Sequence, residues 1–167
     1  MKSKSFIGRQ KELNLLESLY LSKKFEMLIL HGRRRVGKSY LLSHFANLHS
    51  KNVVYFTGDK SSEKNNVKNF CEELNKVLAA GDFIKSFTTW NDVYSFLKNA
   101  EIKERLVLII DEFTYLYNSN PAYDSELQNA IDKILKLKNI FIILCGYEVS
   151  VIEAIIDNSP IQLYGRK

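Results

Sequence analysis

The sequence predicts an α/β fold, in which a doubly wound, mostly parallel sheet has helices on both faces. Short apolar runs alternate along the chain with segments of helical periodicity, as in folds of this class. The runs are continuously apolar, which is typical of strands buried on both faces of a parallel sheet. Four of them predict strands, at 26–31, 52–58, 106–110 and 139–146.

The segments between these strands carry helix signals. Apolar residues in 39–48 have helical spacing, and the serines at 61–62 can cap a following helix that Gly81 would end. Another helix is expected to begin near Thr88 and Thr89. Two further helical patterns lie between the last two predicted strands and after the fourth, the latter ending at the "NSP" of 158–160.

Length and composition indicate one globular domain over residues 1–167. Hydrophobic residues make up 46% of the chain and charged residues 26%, as in an average globular protein. No apolar run is long enough to cross a membrane, and the first residues lack the apolar core of a secretory signal. We therefore expect a cytoplasmic protein without a membrane partner, with Cys71 and Cys145 as buried, reduced thiols.

The positive charge is concentrated near the N-terminus. The whole chain has a net charge of +5, while residues 1–40 contain ten Lys or Arg and three Asp or Glu, a surplus of +7. The excess surrounds residues 32–39, where a polyanionic ligand would account for it. Overall basicity is therefore weak support for a DNA partner.

Residues 32–39, GRRRVGKS, match the phosphate-binding pattern G-x-x-x-x-G-K-[ST] between a predicted strand and a predicted helix. Gly32 and Gly37 allow backbone N–H groups to turn toward phosphates, and the following helix adds its N-terminal dipole. Lys38 is expected to contact the β- and γ-phosphates and Ser39 to bind Mg²⁺. The candidate nucleotide-binding residues of this segment are Gly32, Arg33, Arg34, Arg35, Val36, Gly37, Lys38, Ser39 and Tyr40. The three arginines could be solvated, pair with carboxylates, or contact nucleotide or nucleic acid.

The run LVLIIDEF places a second candidate group at a strand end. Asp111 follows the buried run and can hold Mg²⁺ opposite Ser39, while Glu112 can act as the base that polarises a water. The pair is typical of ATP-hydrolysing P-loop proteins, in which an extra strand separates the two motifs, and 139–146 is the candidate for it. The N-K-x-D motif of GTPases does not occur in the sequence.

Five segments in order resemble the archaeal-type ATPase family, a branch of the STAND and AAA-related P-loop ATPases. They are FIGRQKEL at 6–13, HGRRRVGKSYLL at 31–42, IIDEFTYL at 109–116, SELQNAID at 125–132 and SPIQLYGRK at 159–167. The resemblance implies ATP as the nucleotide, with Phe6, Ile7, Gly8 and Arg9 lying against adenine. Alternatively, Phe6 and Ile7 pack on the following helix as a hydrophobic staple.

By the same resemblance, Arg166 contacts the γ-phosphate in cis or acts as an arginine finger in a homo-oligomer. Family members commonly have Gly-Ser after the fourth strand, whereas this chain has Cys145-Gly146-Tyr147-Glu148. That polar contact is then either absent or replaced by Tyr147 or Ser150. The family continues with a further strand, a lid and often another domain, so we expect a fragment whose sheet lacks its last strand.

Together these features predict Mg²⁺-dependent ATP binding and hydrolysis. Lys38, Glu112 and Arg166 are the candidate catalytic residues, and Ser39 and Asp111 the candidate metal ligands. Two alternatives stay open. The chain could be an ATP-gated binding module with little hydrolysis, or an ATPase that associates with DNA without sequence preference through Lys23, Lys24 and the loop arginines.

Overall fold

The computed structural model describes residues 9–156 and 162–165, which form a five-stranded parallel sheet. The strands are β1 (Glu26–His31), β2 (Val53–Thr57), β3 (Leu106–Asp111), β4 (Ile140–Gly146) and β5 (Gln162–Gly165), arranged in the order β2-β3-β4-β1-β5. The predicted doubly wound α/β fold is confirmed.

The fourth strand in sequence lies between the two motif-bearing strands. β4 pairs with β1 on one side and with β3 on the other, in parallel register. This confirms the predicted extra strand between the phosphate-binding segment and the Asp111 strand. It also brings the carboxyl ends of all three strands to one edge of the sheet.

The sheet contains a strand that the sequence did not predict. Gln162–Gly165 pairs with β1 as β5, a fifth strand within the chain, and the expectation that the family's further strand and lid would follow it stays a prediction. Its four residues include a glutamine and a glycine, which gave no apolar run to recognise.

Seven α-helices are described in these residues, together with two short 3₁₀ helices at Asp82–Ser86 and Leu135–Leu137. The α-helices are α1 (Gln10–Leu21), α2 (Lys38–Leu48), α3 (Glu63–Leu78), α4 (Trp90–Asn99), α5 (Thr114–Ser119), α6 (Tyr123–Lys133) and α7 (Val149–Ile156). α5 is a short helix directly after the Asp-Glu pair.

Two hydrophobic cores cover the two faces of the sheet. Successive residues of β1 alternate between them: Met27 and Ile29 pack with α3, α4, α6 and α7, while Leu28 and Leu30 pack with α1 and α2. All residues of β3 and β4 are buried, and burial on both faces explains why both strands are apolar except for Asp111 at the end of β3.

The helix ends follow the predicted caps with one exception. The Ser62 side chain accepts a hydrogen bond from the Asn65 N–H, and Thr89 forms a capping box with Asp92. The expected stop at Gly81 is wrong, because α3 ends at Leu78 and Ala79 takes the left-handed conformation, with φ of 49°. Gly81, with φ of 103°, instead precedes the 3₁₀ helix at Asp82–Ser86.

Some predictions fall on residues outside the described ranges. These are the roles of Phe6, Ile7, Gly8 and Arg166 and the helix end at 158–160, and they stay predictions. Within residues 9–156 and 162–165, no helix is both long and apolar enough to cross a membrane. Cys71 and Cys145 are buried free thiols, as predicted, and burial raises the pKa of Cys71 to about 12.

Candidate nucleotide-binding site

A cavity of about 530 Å³ opens at the carboxyl ends of the strands. It lies where open parallel sheets of this class bind ligands. Residues from both sequence motifs line it, together with the ends of β2 and β4. The lining comprises Arg34, Arg35, Gly37, Lys38, Ser39, Tyr40, Thr57, Gly58, Asp111, Glu112, Tyr115, Cys145, Gly146 and Tyr147.

The phosphate-binding loop, defined here as Gly32–Ser39, has the backbone that its glycines predict. Gly32 and Gly37 have φ of 151° and 81°, and Arg35 is also left-handed, with φ of 64°. α2 begins at Lys38, so the N–H groups of its first turn lack acceptors within the helix, and the residues of this turn, Lys38, Ser39 and Tyr40, line the cavity. The Lys38 ammonium donates to the carbonyls of Gly32 at 2.7 Å and Arg33 at 2.6 Å. The loop thus folds around its own lysine.

The Asp111 carboxylate connects the two motifs. Its Oδ2 atom accepts hydrogen bonds from the Ser39 hydroxyl at 2.7 Å and from the Tyr55 hydroxyl at 2.7 Å, while Oδ1 accepts from the Glu112 N–H at 3.0 Å. Asp111 itself is buried, although it ends a strand. Three donors from three elements therefore fix this carboxylate beside Ser39.

Glu112 occupies a strained position at the end of β3. Its φ is 54°, a conformation that non-glycine residues rarely adopt and that often occurs at functional sites. Burial raises the pKa of the Glu112 carboxyl, the Asp111 carboxylate raises it further, and the charges of Arg34 and Lys38 oppose this. Its Oε2 atom is buried and accepts no hydrogen bond from the described part of the chain. The side chain thus presents a free acceptor with an elevated pKa.

Two glycines allow the ends of β2 and β4 to approach residues 111–113, called the acidic turn below. A Cβ atom on Gly58 would lie 2.9 Å from the Glu112 carbonyl oxygen, and one on Gly146 would lie 2.9 Å from Cε1 of Phe113. The Gly58 N–H donates to the Asp111 carbonyl at 2.8 Å, and the Phe113 N–H donates to the Cys145 carbonyl at 3.1 Å. The acidic turn is therefore held between β2 and β4.

Of the three loop arginines, Arg34 has defined partners, which are tyrosines rather than the carboxylates considered from the sequence. Its Nη2 atom donates to the Tyr147 hydroxyl at 2.8 Å and to the Tyr115 hydroxyl at 3.3 Å. The guanidinium also lies 4.3 Å from the centroid of the Tyr147 ring. Arg33 and Arg35 are exposed.

Arg9 lies beside the phosphate-binding loop. Its guanidinium is 3.8 Å from the point that a Cβ on Gly37 would occupy. The basic residues considered for DNA binding, in contrast, lie in two separate groups. Lys23 and Lys24 precede β1 and the loop arginines follow it, so the two groups lie at opposite ends of a six-residue strand, roughly 20 Å apart.

A family model described as an ATPase domain predominantly from Archaea matches residues 6–167. The chain belongs to this archaeal ATPase family. An uncharacterized protein of Methanocaldococcus jannaschii is 30% identical over 162 residues, which cover 97% of this chain and 34% of the relative. An uncharacterized ATP-binding protein of the same organism is 45% identical over 40 residues, covering 24% of this chain and 68% of that protein. The chain thus spans about a third of the length of the first relative.

Solved structures share the fold at low sequence identity. A structure of Drosophila ORC bound to DNA has a TM-score of 0.73 at 17% identity, covering 96% of this chain and 43% of that one. The Aeropyrum pernix ORC2 protein, in ADPNP-ADP complexes, has a TM-score of 0.62 at 14% identity, with 94% and 47% covered. A Walker-type ATPase of Pyrococcus abyssi has a TM-score of 0.59 at 17% identity, with 96% and 54% covered.

The ATPase motifs meet in one cavity, and two tyrosines to which the sequence analysis gave no role contact residues of its lining. The Tyr55 hydroxyl donates to Asp111 from outside the cavity lining, and the Tyr115 hydroxyl, within the lining, accepts a hydrogen bond from Arg34. The sequence feature that could have indicated a role for Tyr55 is its hydroxyl, which lies two positions before the end of the apolar strand β2. Tyr115 follows Glu112 by three residues in the resemblance segment at 109–116.

Proposed function

We propose that this archaeal ATPase domain binds ATP with Mg²⁺ at the cavity and hydrolyses it. The observation that carries the proposal is the 2.7 Å hydrogen bond between Ser39 and Asp111, which joins the phosphate-binding loop to the acidic strand end. We further propose that residues 1–167 are the ATPase core of a longer protein, whose other segments would respond to the nucleotide. The comparison supports a longer protein, because this chain matches only 34% of the length of the Methanocaldococcus jannaschii relative.

The residues present fit a magnesium nucleotide. Mg²⁺ prefers oxygen ligands and commonly uses one or two protein groups together with phosphates and waters. Ser39 and Asp111 supply a hydroxyl and a carboxylate, and among the described residues no three His, Cys, Asp or Glu side chains gather as an all-protein cage. When bound, the metal would neutralise charge on the phosphate oxygens.

The phosphates would lie against the N-terminus of α2. Lys38, now bonded to two loop carbonyls, would turn its ammonium to the β- and γ-phosphates. Tyr40 and Arg35, which line the cavity, would contact the ligand together with the loop residues Arg33 and Val36, which lie outside the lining, and Arg9 would approach it beside Gly37. The adenine contacts of Phe6, Ile7 and Gly8 and the γ-phosphate contact of Arg166 are part of this proposal.

Glu112 would act as the general base. A base must be ionised at the working pH and able to accept a hydrogen bond from the attacking water. The unpartnered Oε2 atom offers that acceptor, and Arg34 and Lys38 favour the ionised form. Because the pKa of Glu112 is raised toward neutral pH, its ionised carboxylate is a stronger base.

Phosphate release by wild type and by Glu112→Gln tests this assignment. We expect the variant to lose about 100-fold or more in turnover, while its affinity for a nonhydrolysable ATP analogue changes little. The matched control is Glu126→Gln in α6, where burial also raises the pKa of the carboxyl, but outside the cavity. It should keep the full rate. A Glu112→Gln variant that hydrolyses ATP at the wild-type rate would show that Glu112 is not the base.

An ATP-gated binding module with little hydrolysis is the main alternative. It is favoured by Tyr147, a bulky residue engaged with Arg34 directly after β4, where the resemblance predicts a small polar side chain. Tight Mg²⁺-dependent ATP binding by wild type without phosphate release would select this alternative.

Association with DNA is a secondary proposal, supported by the fold shared with Drosophila ORC, whose structure was determined bound to DNA. Arg33 and Arg35 are exposed at the loop. Binding to duplex DNA should then weaken steeply as salt is raised, because counterions are released. Binding that does not change with salt would eliminate it.

A further inference from the structure

The guanidinium of Arg34 is fixed at the edge of the cavity by tyrosines from two other elements. Arg34 belongs to the phosphate-binding loop, Tyr147 directly follows β4, and Tyr115 lies in α5. The two hydrogen bonds connect residues 113 and 81 positions apart in the chain. Stacking on the Tyr147 ring, at 4.3 Å from its centroid, adds a third contact.

This arrangement orders a side chain that would otherwise be mobile. Arg34 is exposed, and a long exposed arginine samples many rotamers that must be given up when it binds a ligand. A planar guanidinium stacks well on an aromatic ring, and a hydroxyl at the ring edge can fix its orientation. Tyr147 provides both, so Arg34 is already ordered before a ligand binds, and binding costs less side-chain entropy.

The held guanidinium lies on the Glu112 side of the cavity. Both residues line it, and the Tyr115 hydroxyl that accepts a hydrogen bond from Arg34 belongs to a residue three positions after Glu112. In the proposed function, Glu112 acts on the water that attacks the terminal phosphate. The terminal phosphate must then lie beside Glu112, within the field of Arg34.

We propose that Arg34 contacts the γ-phosphate in cis and that Tyr147 is the positioning residue that presents it, so that the domain distinguishes a nucleoside triphosphate from a diphosphate. The inference rests on the proposed function, since it needs ATP in this cavity. It gives a role to the tyrosine that stands where the resemblance predicts a small polar residue.

Binding of AMP-PNP and of ADP, each with Mg²⁺, tests the inference. Arg34→Ala should weaken AMP-PNP binding about 10- to 100-fold, as expected for a lost charge-assisted hydrogen bond, and ADP binding by less than about threefold. Tyr147→Phe keeps the ring and loses the hydroxyl, so AMP-PNP binding should weaken by about three- to tenfold. In an Arg34→Ala background, Tyr147→Phe should have no further effect, because the two residues act as one unit.

Two comparisons separate positioning from general damage. Tyr117→Phe removes a hydroxyl from the same helix as Tyr115, outside the cavity lining, and should leave both affinities unchanged. Arg34→Lys keeps the charge without the planar group, and its AMP-PNP affinity should fall between those of wild type and Arg34→Ala.

If Arg34→Ala weakens the binding of AMP-PNP and ADP equally, this inference is overturned, while the proposal that the cavity binds ATP still holds. Tighter AMP-PNP binding by Tyr147→Phe would overturn it as well, since the tyrosine would then withhold the guanidinium from the ligand. If wild type binds neither nucleotide, the proposed function fails and this inference fails with it.

Discussion

The change Gly58→Ala probes the close approach of β2 to the acidic turn. The new Cβ would lie 2.9 Å from the Glu112 carbonyl oxygen, about 0.4 Å closer than ordinary carbon–oxygen contacts. Side-chain rotation cannot relieve this overlap, because both atoms are fixed to backbone. Gly58 is also tied to the turn by its 2.8 Å hydrogen bond to the Asp111 carbonyl. Either that bond lengthens or Glu112 moves.

We expect both stability and turnover to fall. Overpacking of a buried contact typically costs about 1–3 kcal/mol, which corresponds to a decrease in Tm of about 2–12 °C for a domain of this size. A displacement of Glu112 by a few tenths of an ångström should lower ATP turnover about three- to tenfold, given that 1 Å can cost about 100-fold. Nucleotide affinity should change little, because the phosphate-binding loop is not involved.

Urea unfolding and phosphate release measure the two effects. The same Cβ would also lie 3.4 Å from Cδ2 of Leu116, an ordinary contact that a shorter side chain would relax. Combining Gly58→Ala with Leu116→Val should therefore give no rescue. The reasoning is refuted if Gly58→Ala unfolds within about 0.5 kcal/mol of wild type, or if the double variant recovers the loss.

Three further predictions concern local conformation and charge. Ala79 has a left-handed backbone, which glycine adopts more easily, so Ala79→Gly should stabilise the fold by about 0.5–1 kcal/mol in urea unfolding. Ala46 lies inside α2, so Ala46→Gly should destabilise the fold by about 1 kcal/mol, and equal effects of the two changes would contradict the reasoning. Thr89→Ala should cost about 1 kcal/mol through loss of the α4 cap while Thr89→Ser costs less, and the same unfolding measurement checks both. Glu112→Gln should raise Tm at pH 7, because burial and Asp111 raise the folded pKa of Glu112, so its ionised form opposes folding above that pKa. That gain should shrink as the pH falls below the folded pKa, and a gain that grows toward low pH would have the wrong sign.

The sequence predicted the parts of the site that depend on short segments. The phosphate-binding loop and the Asp111–Glu112 pair are each contiguous, and the strand preceding each is a continuous apolar run, so their placement at one sheet edge follows from the parallel arrangement. The caps at Ser62 and Thr89 were predictable for the same reason, since a cap depends on residues within one helical turn.

Contacts between distant segments could not be predicted in this way. The Tyr55 hydroxyl contacts Asp111 because β2 pairs with β3, and the apolar pattern of these strands does not specify their register. The partners of Arg34 lie 81 and 113 residues away and come from a loop and a short helix. The basic residues before and after β1 are close in sequence but lie at opposite ends of that strand, a separation that the clustering of charge in the sequence does not reveal.

The most direct test of the central claim is the dependence of ATP-analogue affinity on Mg²⁺. Calorimetric titration of AMP-PNP into wild type and into Asp111→Asn, each with Mg²⁺ and with EDTA, separates the contribution of the metal from that of the phosphate-binding loop. We expect Mg²⁺ to tighten binding to wild type on the order of tenfold or more, and most of this gain to disappear in Asp111→Asn while the affinity in EDTA is retained. Wild-type affinity that is the same with and without Mg²⁺, or an undiminished gain in Asp111→Asn, would contradict a magnesium nucleotide held between Ser39 and Asp111.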